Sequence, residues 1–228
     1  MRKTLLIAAA ALAGSIISSQ AQVYSQNIVG YANVTLNSGY TLVASQFNSG
    51  ASNGLNEVAA NLPYGSTVLL FNGVGYNQYQ YAPGLNDANT IFIDPDSQND
   101  VTTPVVQPGQ GFFVQNPGTA VTNTFVGTVA TNVINLAAGY SLVGSPLPYG
   151  GDITNSLINL NLVTGATILI YNGTGYSQYQ YAPGFNDAGT VFIDPDTQND
   201  KPDPILSVGQ GFFYQNPGSA VTWAQVYP

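Results

Sequence analysis

The stretch Phe71-Asn72-Gly73-Val74-Gly75-Tyr76 recurs one hundred residues later as Tyr171-Asn172-Gly173-Thr174-Gly175-Tyr176. In the first copy, Asn-Gly-x-Gly lies between two runs rich in β-branched and aromatic residues, Thr67–Phe71 and Tyr76–Tyr81. Asn and Gly tolerate the positive φ angles of tight turns, so this pattern predicts a β-hairpin. Because the hairpin occurs twice, it also indicates a duplicated β unit.

The duplication extends over most of the chain of 228 residues. A shift of 100 residues aligns the sequence with itself without a gap from about Asn33 onward. The similarity is uneven: 23 of the 29 positions in 72–100 are identical to their partners, but only 4 of the 21 in 44–64. Units of about 95 residues are a normal size for small domains. We therefore predict two tandem domains, 22–130 and 131–228.

Further β-rich runs surround the hairpin and are separated by Gly, Pro and Asn. In the first unit they cover 31–36, 40–47, 90–93, 111–115 and 121–129. Gly109-Gln110-Gly111-Phe112-Phe113 has neither the lysine nor the βαβ context of a phosphate-binding loop, so we interpret it as a turn into a central aromatic strand. The fold class is thus mainly β, with each unit a β-sandwich or a compact barrel-like domain.

One short helix is expected in each unit. Leu55, Val58, Ala59 and Leu62 follow the i, i+3, i+4, i+7 spacing of an amphipathic helix. In the second unit, Asp152 could cap a similar helix that contains Leu157 and Ile158.

The composition excludes many kinds of chemistry. Only 6% of residues are charged, and the chain has neither His nor Cys. It therefore lacks the residues for a Ser-His-Asp triad, a thiol nucleophile, a disulfide or a thiolate metal site. We expect a protein that is not an enzyme.

The N-terminus has the pattern of a secretory signal peptide over residues 1–21. Arg2 and Lys3 precede the apolar run Leu5–Ile17, and Ser19-Gln20-Ala21 predicts cleavage before Gln22. A membrane anchor is the alternative, but the run is shorter than a span of about 20 residues. We expect export to the cell surface or the extracellular space, with the periplasm left open, and no membrane insertion after signal removal.

After signal removal, Lys201 is the one basic side chain against eleven acidic ones. Nucleic acids and anionic membranes are bound through clustered Lys and Arg, so neither is an expected partner.

Eight of the eleven carboxylates lie in two copies of one acidic loop. Oxygen-bearing side chains at alternate positions resemble the start of a calcium loop, although Gly at position six and Glu at position twelve are missing. The alternative is a solvated turn in which Asp and Asn bond their own backbone. The candidate calcium ligands are Asp87, Asp94, Asp96, Gln98 and Asp100, with Asp187, Asp194, Asp196, Gln198 and Asp200 in the second copy.

A strand of alternating Tyr and Gln is the candidate ligand-binding element. Exposed Tyr rings beside amides suit glycan recognition, whereas the competing interpretation is that the tyrosines pack in the core. Strands of this composition also suit edge-to-edge self-association. The candidate residues are Tyr76, Gln78, Tyr79, Gln80 and Tyr81, with Tyr176, Gln178, Tyr179, Gln180 and Tyr181 in the second copy.

The order of these motifs resembles a group of uncharacterised secreted two-repeat β proteins abundant in verrucomicrobial bacteria. The likeness rests on Gly139–Pro146, the Asn-Gly-x-Gly-Tyr hairpin, the Tyr-x-Tyr strand and Gly-x-Gly-Phe-Phe, and covers the whole mature chain. It implies export and a tandem β-repeat, and it carries no activity and no catalytic residue. The Asp-Pro-Asp loop departs from the group's pattern.

The leading hypothesis is a secreted, non-enzymatic β-repeat protein of the cell envelope or extracellular matrix, acting in adhesion, self-association or glycan binding. A calcium-dependent carbohydrate-binding module is the first alternative. A glycoside hydrolase that uses Asp94 with Asp96 or Asp87 is the second, although these acids lie in a polar loop.

Overall fold

The computed structural model describes residues 28–86, 91–186 and 189–226. The first repeat comprises β1 (Val29–Leu36), β2 (Gly39–Ala44), helix α1 (Leu55–Val58), β3 (Thr67–Phe71), β4 (Tyr76–Tyr81), β5 (Phe92–Ile93), β6 (Gly111–Asn116) and β7 (Val121–Thr128). The second comprises β8 (Val133–Leu136), β9 (Gly139–Gly144), β10 (Gly151–Asp152), β11 (Thr167–Tyr171), β12 (Tyr176–Tyr181), β13 (Phe192–Ile193), β14 (Asp200–Lys201), β15 (Ile205–Leu206), β16 (Gly211–Asn216) and β17 (Val221–Ala224).

The two repeats have the same sheet order, which confirms the tandem β architecture. In the first repeat the antiparallel order is β2-β6-β3-β4-β5, and a separate two-stranded ribbon pairs β1 with β7. The second repeats this order as β9-β16-β11-β12-β13, adds β14 at the edge, and pairs β8 with β17. Sheet and ribbon form a sandwich in each repeat. The main sheets are open, so the barrel-like alternative is wrong.

The predicted hairpin and central strand both form. Asn72 stabilises the turn between β3 and β4 by accepting N–H bonds from Val74 and Gly75 on its side-chain oxygen, at 3.2 and 2.8 Å. Strand β6 pairs with β2 on one side and β3 on the other, so the strand that follows Gly109-Gln110 is central.

Each repeat has its own core between sheet and ribbon. In the first, Val43, Val68 and Phe112 from the sheet pack with Phe125 from the ribbon, whose ring centre lies 6.4 Å from that of Phe112. Because side chains alternate along a strand, the neighbours Leu42, Leu69 and Phe113 point to the opposite face.

That opposite face is also apolar and is covered by the other repeat. Leu42 and Phe113 form one buried cluster with Leu142 and Phe213. We call this cluster the central layer. Burial of a large apolar side chain contributes about 1.5–3 kcal/mol. The central layer therefore binds the two repeats into one folded unit.

Reciprocal backbone contacts beside the central layer connect the two repeats, and we call these contacts the joint. The Ala44 N–H donates to the Gly209 carbonyl at 2.9 Å, and the Gly144 N–H donates to the Gly109 carbonyl at 3.0 Å. Isolated bridges pair Val43 with Gln210 and Val143 with Gln110. Since each contact has a counterpart one hundred residues away, the joint has the self-complementary form of a two-fold interface.

Within the residues that the structure describes, the predicted helix forms in the first repeat and not in the second. Its residues Leu55 and Val58 are buried as predicted, but it ends at Val58 rather than continuing to Leu62. The predicted helix around Leu157 and Ile158 is wrong. Asp152 instead lies in β10, paired with Ile205.

Local hydrogen bonding explains the missing second helix. The Asn155 side chain accepts N–H bonds from residues 157 and 158, and the Asn159 N–H donates to the Asn155 carbonyl at 2.7 Å, which gives one helical turn. Asn159 then adopts a left-handed φ of 44°, which stops propagation.

Glu57 organises the loop before α1. Its carboxylate accepts N–H bonds from Ala51, Ser52 and Gly54 at 3.0–3.1 Å and a hydroxyl bond from Ser52 at 2.9 Å. These bonds, led by that from Ala51, lower the pKa of Glu57 from 4.5 to about 2. The second repeat has Leu157 at this position.

Replacing Gly144 by Ala tests the joint. The added Cβ would overlap the Ala44 Cβ and lie 2.8 Å from the Gln210 carbonyl oxygen. We expect a loss of about 1–3 kcal/mol in the free energy of unfolding, as for overpacked cores. Gly75→Ala is the control, because its Cβ has nothing within 4 Å. Equal urea midpoints for the two variants would contradict the described joint.

The pKa of Glu57 predicts an acid-sensitive contribution to stability. Because the folded-state pKa of about 2 is below the ordinary value of 4.5, the stabilisation is full above 4.5 and is lost as the pH falls towards 2. Glu57→Gln should therefore lower the urea midpoint at neutral pH and have little effect near pH 2. Asp96→Asn, in an exposed loop, is the control. A Glu57→Gln effect independent of pH would contradict this role.

Candidate functional site

An aromatic cleft opens where the two repeats meet. It encloses about 270 Å³ and is lined by Tyr40, Leu69, Tyr76, Phe113, Tyr171 and Tyr176. We call it the aromatic cleft. Four of its residues come from the first repeat's sheet, and Tyr171 of β11 and Tyr176 of β12 complete it from the second repeat.

The hairpin positions the tyrosines that rim the cleft. Tyr76 starts β4 immediately after the Asn-Gly-x-Gly turn and lies opposite Phe71 in the ladder. Its ring centre is 5.6 Å from that of Phe71 and 5.9 Å from that of Phe113. Tyr40 meets Phe113 edge-on at 6.2 Å. Packing on these rings holds the tyrosines in defined orientations.

The rim tyrosines remain open to solvent despite this packing. Tyr40 is 42% exposed, Tyr76 37% and Tyr176 38%. Phe113, at 6%, forms the floor, and Tyr171 packs on it with ring centres 5.3 Å apart. The arrangement gives a hydrophobic floor with ring faces and phenol groups at its rim.

The phenol groups of Tyr76 and Tyr176 stay protonated at physiological pH. Burial, together with repulsion from Tyr76 and Tyr171, raises the pKa of Tyr176 to about 12. Burial also raises the pKa of Tyr76. The Tyr171 hydroxyl donates to the Gly173 carbonyl at 2.7 Å. None of the six lining residues is an acidic or basic side chain, and Tyr76 and Tyr176 offer neutral hydroxyls.

The Tyr/Gln strands divide their side chains between two faces. Tyr79 and Tyr81 pack partly buried against the first core, and the Tyr81 hydroxyl donates to the Ala60 carbonyl at 2.6 Å. Tyr179 and Tyr181 pack likewise against the second core. These four tyrosines therefore match the core-packing interpretation. Of the six predicted tyrosines, only Tyr76 and Tyr176 line the cleft.

The predicted glutamines lie on the same strand face as Tyr76. Gln78 is exposed and pairs with Leu69, while Gln80 is half-buried and reaches the Gln98 amide at 3.4 Å. In the second repeat, Gln178 and Gln180 occupy the same register opposite Leu169 and Thr167. The amides therefore flank the aromatic cleft without lining it.

Each acidic loop is organised around its first aspartate. The Asp94 carboxylate accepts N–H bonds from Asp96 and Ser97 at 3.0 and 2.7 Å, and that from Ser97 is the main cause of its lowered pKa. In the second loop, Asp194 accepts from Asp196 and Thr197 at 3.0 Å, and its pKa is lowered in the same way.

The remaining loop residues bond locally too. The Asn86 amide donates to the Gln98 carbonyl and the Asp100 carboxylate, and the Asn186 amide donates likewise to Gln198 and Asp200. The left-handed residue of each loop is Gln98 or Gln198, with φ of 57° and 62°, rather than the following Asn. Asp87 and Asp187 lie outside the described residues. Within those residues, no three carboxylates converge as a metal site would require.

Lys201 is bound within its own repeat. Its ammonium group donates to the Gln178 carbonyl at 2.7 Å and lies 3.2 Å from the Asp194 carboxylate. It also lies 4.5 Å from the ring centre of Tyr179. The first repeat has Val101 at this position. Lys201 thus serves the second acidic loop rather than the cleft.

The sequence did not lead to four of the cleft residues: Tyr40, Leu69, Phe113 and Tyr171. The recurring Gly-Tyr pairs at 39–40 and 139–140 were a usable signal, since Tyr40 directly follows a turn. The Phe112-Phe113 doublet was another, because adjacent large apolar residues on one strand require cover on both faces.

Comparisons with protein-family models, curated protein sequences and solved structures found no match to this chain. Throughout the part of the chain that the structure describes, helices long and apolar enough for a membrane span are absent.

We expect millimolar calcium to leave the melting temperature unchanged, because the carboxylates of Asp94 and Asp194 already accept backbone N–H bonds. Scanning calorimetry in calcium and in EDTA measures this. A bound ion would raise stability by mass action. A calcium-dependent rise that disappears in the Asp96→Asn/Asp196→Asn variant would instead support the calcium hypothesis. That variant spares Asp94 and Asp194, which hold the turns.

Proposed function

We propose that the protein is an exported, non-catalytic glycan-binding protein that takes an uncharged glycan in the aromatic cleft. One observation carries the proposal: half-open tyrosines from both repeats surround a preformed apolar opening without charged lining residues. Ligand sites are typically preformed, mostly apolar and equipped with a few oriented polar groups.

The chemistry of the cleft matches that of a sugar ring. A pyranose has an apolar face of C–H groups, which packs on an aromatic ring, and a rim of hydroxyls. The Tyr76 and Tyr176 rings supply the aromatic surface, and their protonated phenols both donate and accept hydrogen bonds. Gln78, exposed beside the cleft, adds an amide.

Charge favours an uncharged ligand. The mature sequence has a large excess of carboxylates, and Lys201 is paired with Asp194. The negative electrostatic field of these carboxylates would repel an acidic polysaccharide, and little basic charge is present to bind it. Neutral polysaccharides incur no such repulsion.

The carboxylates of the acidic loops argue for a binding protein over a glycoside hydrolase. A glycoside hydrolase needs a carboxyl with a raised pKa as its general acid. Hydrogen bonding lowers the pKa of Asp94 and Asp194 instead.

The proposal that the protein acts outside the cell, in the envelope or matrix, rests on the signal segment 1–21. That segment lies outside the described residues.

Self-association is the second candidate function, and the ribbon of the first repeat favours it. Tyr31, 70% exposed, lies directly opposite Val126, 52% exposed, on the outer face of the β1–β7 pair. Exposed apolar neighbours on a two-stranded ribbon suit contact with a second copy. Light scattering over a range of protein concentrations measures this association.

Affinity electrophoresis through gels that contain neutral polysaccharides tests the glycan proposal. We expect retardation of the mature protein by at least one polysaccharide, and at least a tenfold loss of affinity in Tyr76→Ala/Tyr176→Ala, equivalent to about 1.4 kcal/mol. Tyr64→Ala is the matched control, because this tyrosine is exposed outside the cleft. Unimpeded migration of the parent protein on a broad panel, or equal retardation of both variants, would reject the proposal.

A further inference from the structure

Two grooves of similar size flank the joint between the repeats. Groove 1 encloses about 400 Å³ and includes Tyr40, Tyr171, Gly173 and Gln210. Groove 2 encloses about 410 Å³ and includes Tyr140, Phe71, Gly73 and Gln110. Each groove lies between the hairpin turn of one repeat and the second strand of the other.

The grooves share several corresponding positions through the duplication. A shift of 100 residues converts Tyr40 into Tyr140, Gly173 into Gly73 and Gln210 into Gln110. The one aromatic difference on this list is Tyr171, which corresponds to Phe71. Each hairpin contacts the other repeat in the same way, because Phe71 packs on Phe213 with ring centres 5.4 Å apart and Tyr171 packs on Phe113 at 5.3 Å.

Each groove has an exposed aromatic ring with a defined orientation. Tyr40 is 42% exposed and Tyr140 48%, and each packs edge-on against the central layer at 6.2 Å, on Phe113 and Phe213 respectively. The ring is therefore held in place while one surface stays available to a ligand.

Each groove also has an oriented amide. The Gln110 side-chain oxygen accepts the Gln107 N–H at 3.3 Å, and that of Gln210 accepts the Ser207 N–H at 2.9 Å. This leaves the amide NH₂ as the donor end of each side chain. Asn33 and Asn37 line groove 1, and Asn132 and Asn135 line groove 2.

We propose that each groove binds a segment of an uncharged polysaccharide, so that one protein holds two segments and bridges two chains. The inference rests on the proposed function for the ligand class. Groove 1 adjoins the aromatic cleft through Tyr40 and Tyr171, whereas groove 2 shares no lining residue with the cleft. The lining side chains of both grooves are aromatic, aliphatic, amide or hydroxyl groups, all uncharged, which matches a ligand rich in hydroxyls and free of charge.

Two equivalent sites suit a repeating polymer. A polysaccharide presents the same unit many times, so a second site raises avidity without any new kind of contact. When the sites engage different chains, the protein cross-links them, which is a structural role in an envelope or matrix.

Tyr140 separates this inference from the proposed function experimentally. It lines groove 2 but not the aromatic cleft, whereas Tyr40 lines both groove 1 and the cleft. Substitution of Tyr140 thus changes one groove alone, and substitution of Tyr76 and Tyr176 changes the cleft alone.

The test uses the mature full chain with soluble hydroxyethyl cellulose and galactomannan as uncharged probes and polygalacturonate as the charged control. Light scattering follows bridging over a range of protein-to-polymer ratios. We expect a maximum at an intermediate ratio for the parent with an uncharged probe. Tyr140→Ala should abolish that maximum and lower the affinity measured by electrophoresis at least tenfold, while binding through groove 1 persists. Asn135→Trp, which fills groove 2 from an exposed strand position, is a second variant that keeps Tyr140.

The outcomes distinguish the two proposals. If Tyr140→Ala and Asn135→Trp both bridge chains like the parent, while Tyr76→Ala/Tyr176→Ala loses binding, the two-groove inference is wrong and the cleft proposal stands. If the parent binds neither uncharged probe, both are rejected. A parent that binds without a bridging maximum has a single site, which also overturns the two-groove inference.

Discussion

The packing of Phe113 and Phe213 between the two sheets is the interaction on which the rest of the molecule depends. Their ring centres lie 6.4 Å apart, and each also contacts the partner repeat's hairpin, Phe113 through Tyr171 and Phe213 through Phe71. A sheet that is apolar on both faces cannot be covered by its own ribbon alone. The second repeat supplies the missing layer. The duplication therefore provides the cover that the second apolar face of each sheet requires.

The candidate sites follow from this packing. The aromatic cleft exists because Tyr171 and Tyr176 are brought beside Tyr40 and Tyr76. The grooves exist because each hairpin turn extends past the central layer to the other repeat's edge. Gly144 permits the close approach, since a Cβ there would overlap Ala44. Binding surfaces are therefore shared between the repeats rather than contained within either one.

The sequence predicted what depends on local rules and missed what depends on contacts between repeats. Strands β3 and β4 match the predicted ranges, because turn residues bound them on both sides. Alternation correctly separated Tyr79 and Tyr81 from Gln78 and Gln80, but it could not show which face the other repeat covers. The second helix failed for a local reason, since Asn159 adopts a left-handed conformation that outweighs a weak apolar pattern.

The uneven similarity of the two copies has a physical explanation in these contacts. In 72–100, side chains such as Asn72 and Asp94 bond the backbone of their own turns, so the same residues are needed in both copies. The stretch 44–64 begins at the joint, where Ala44 and Gln46 contact the second repeat and the copies are no longer equivalent at Gln46. Gln46 donates to the Ser145 and Leu147 carbonyls and accepts the Gly209 N–H, whereas its counterpart is Pro146, which has neither group. Local turns thus explain the identity of 72–100. The contacts of Gln46 at the joint and of Glu57 in the loop before α1, each made in one copy alone, explain divergence at those two positions. The similarity of the acidic loops follows from the turn geometry that Asp94 and Asp194 stabilise.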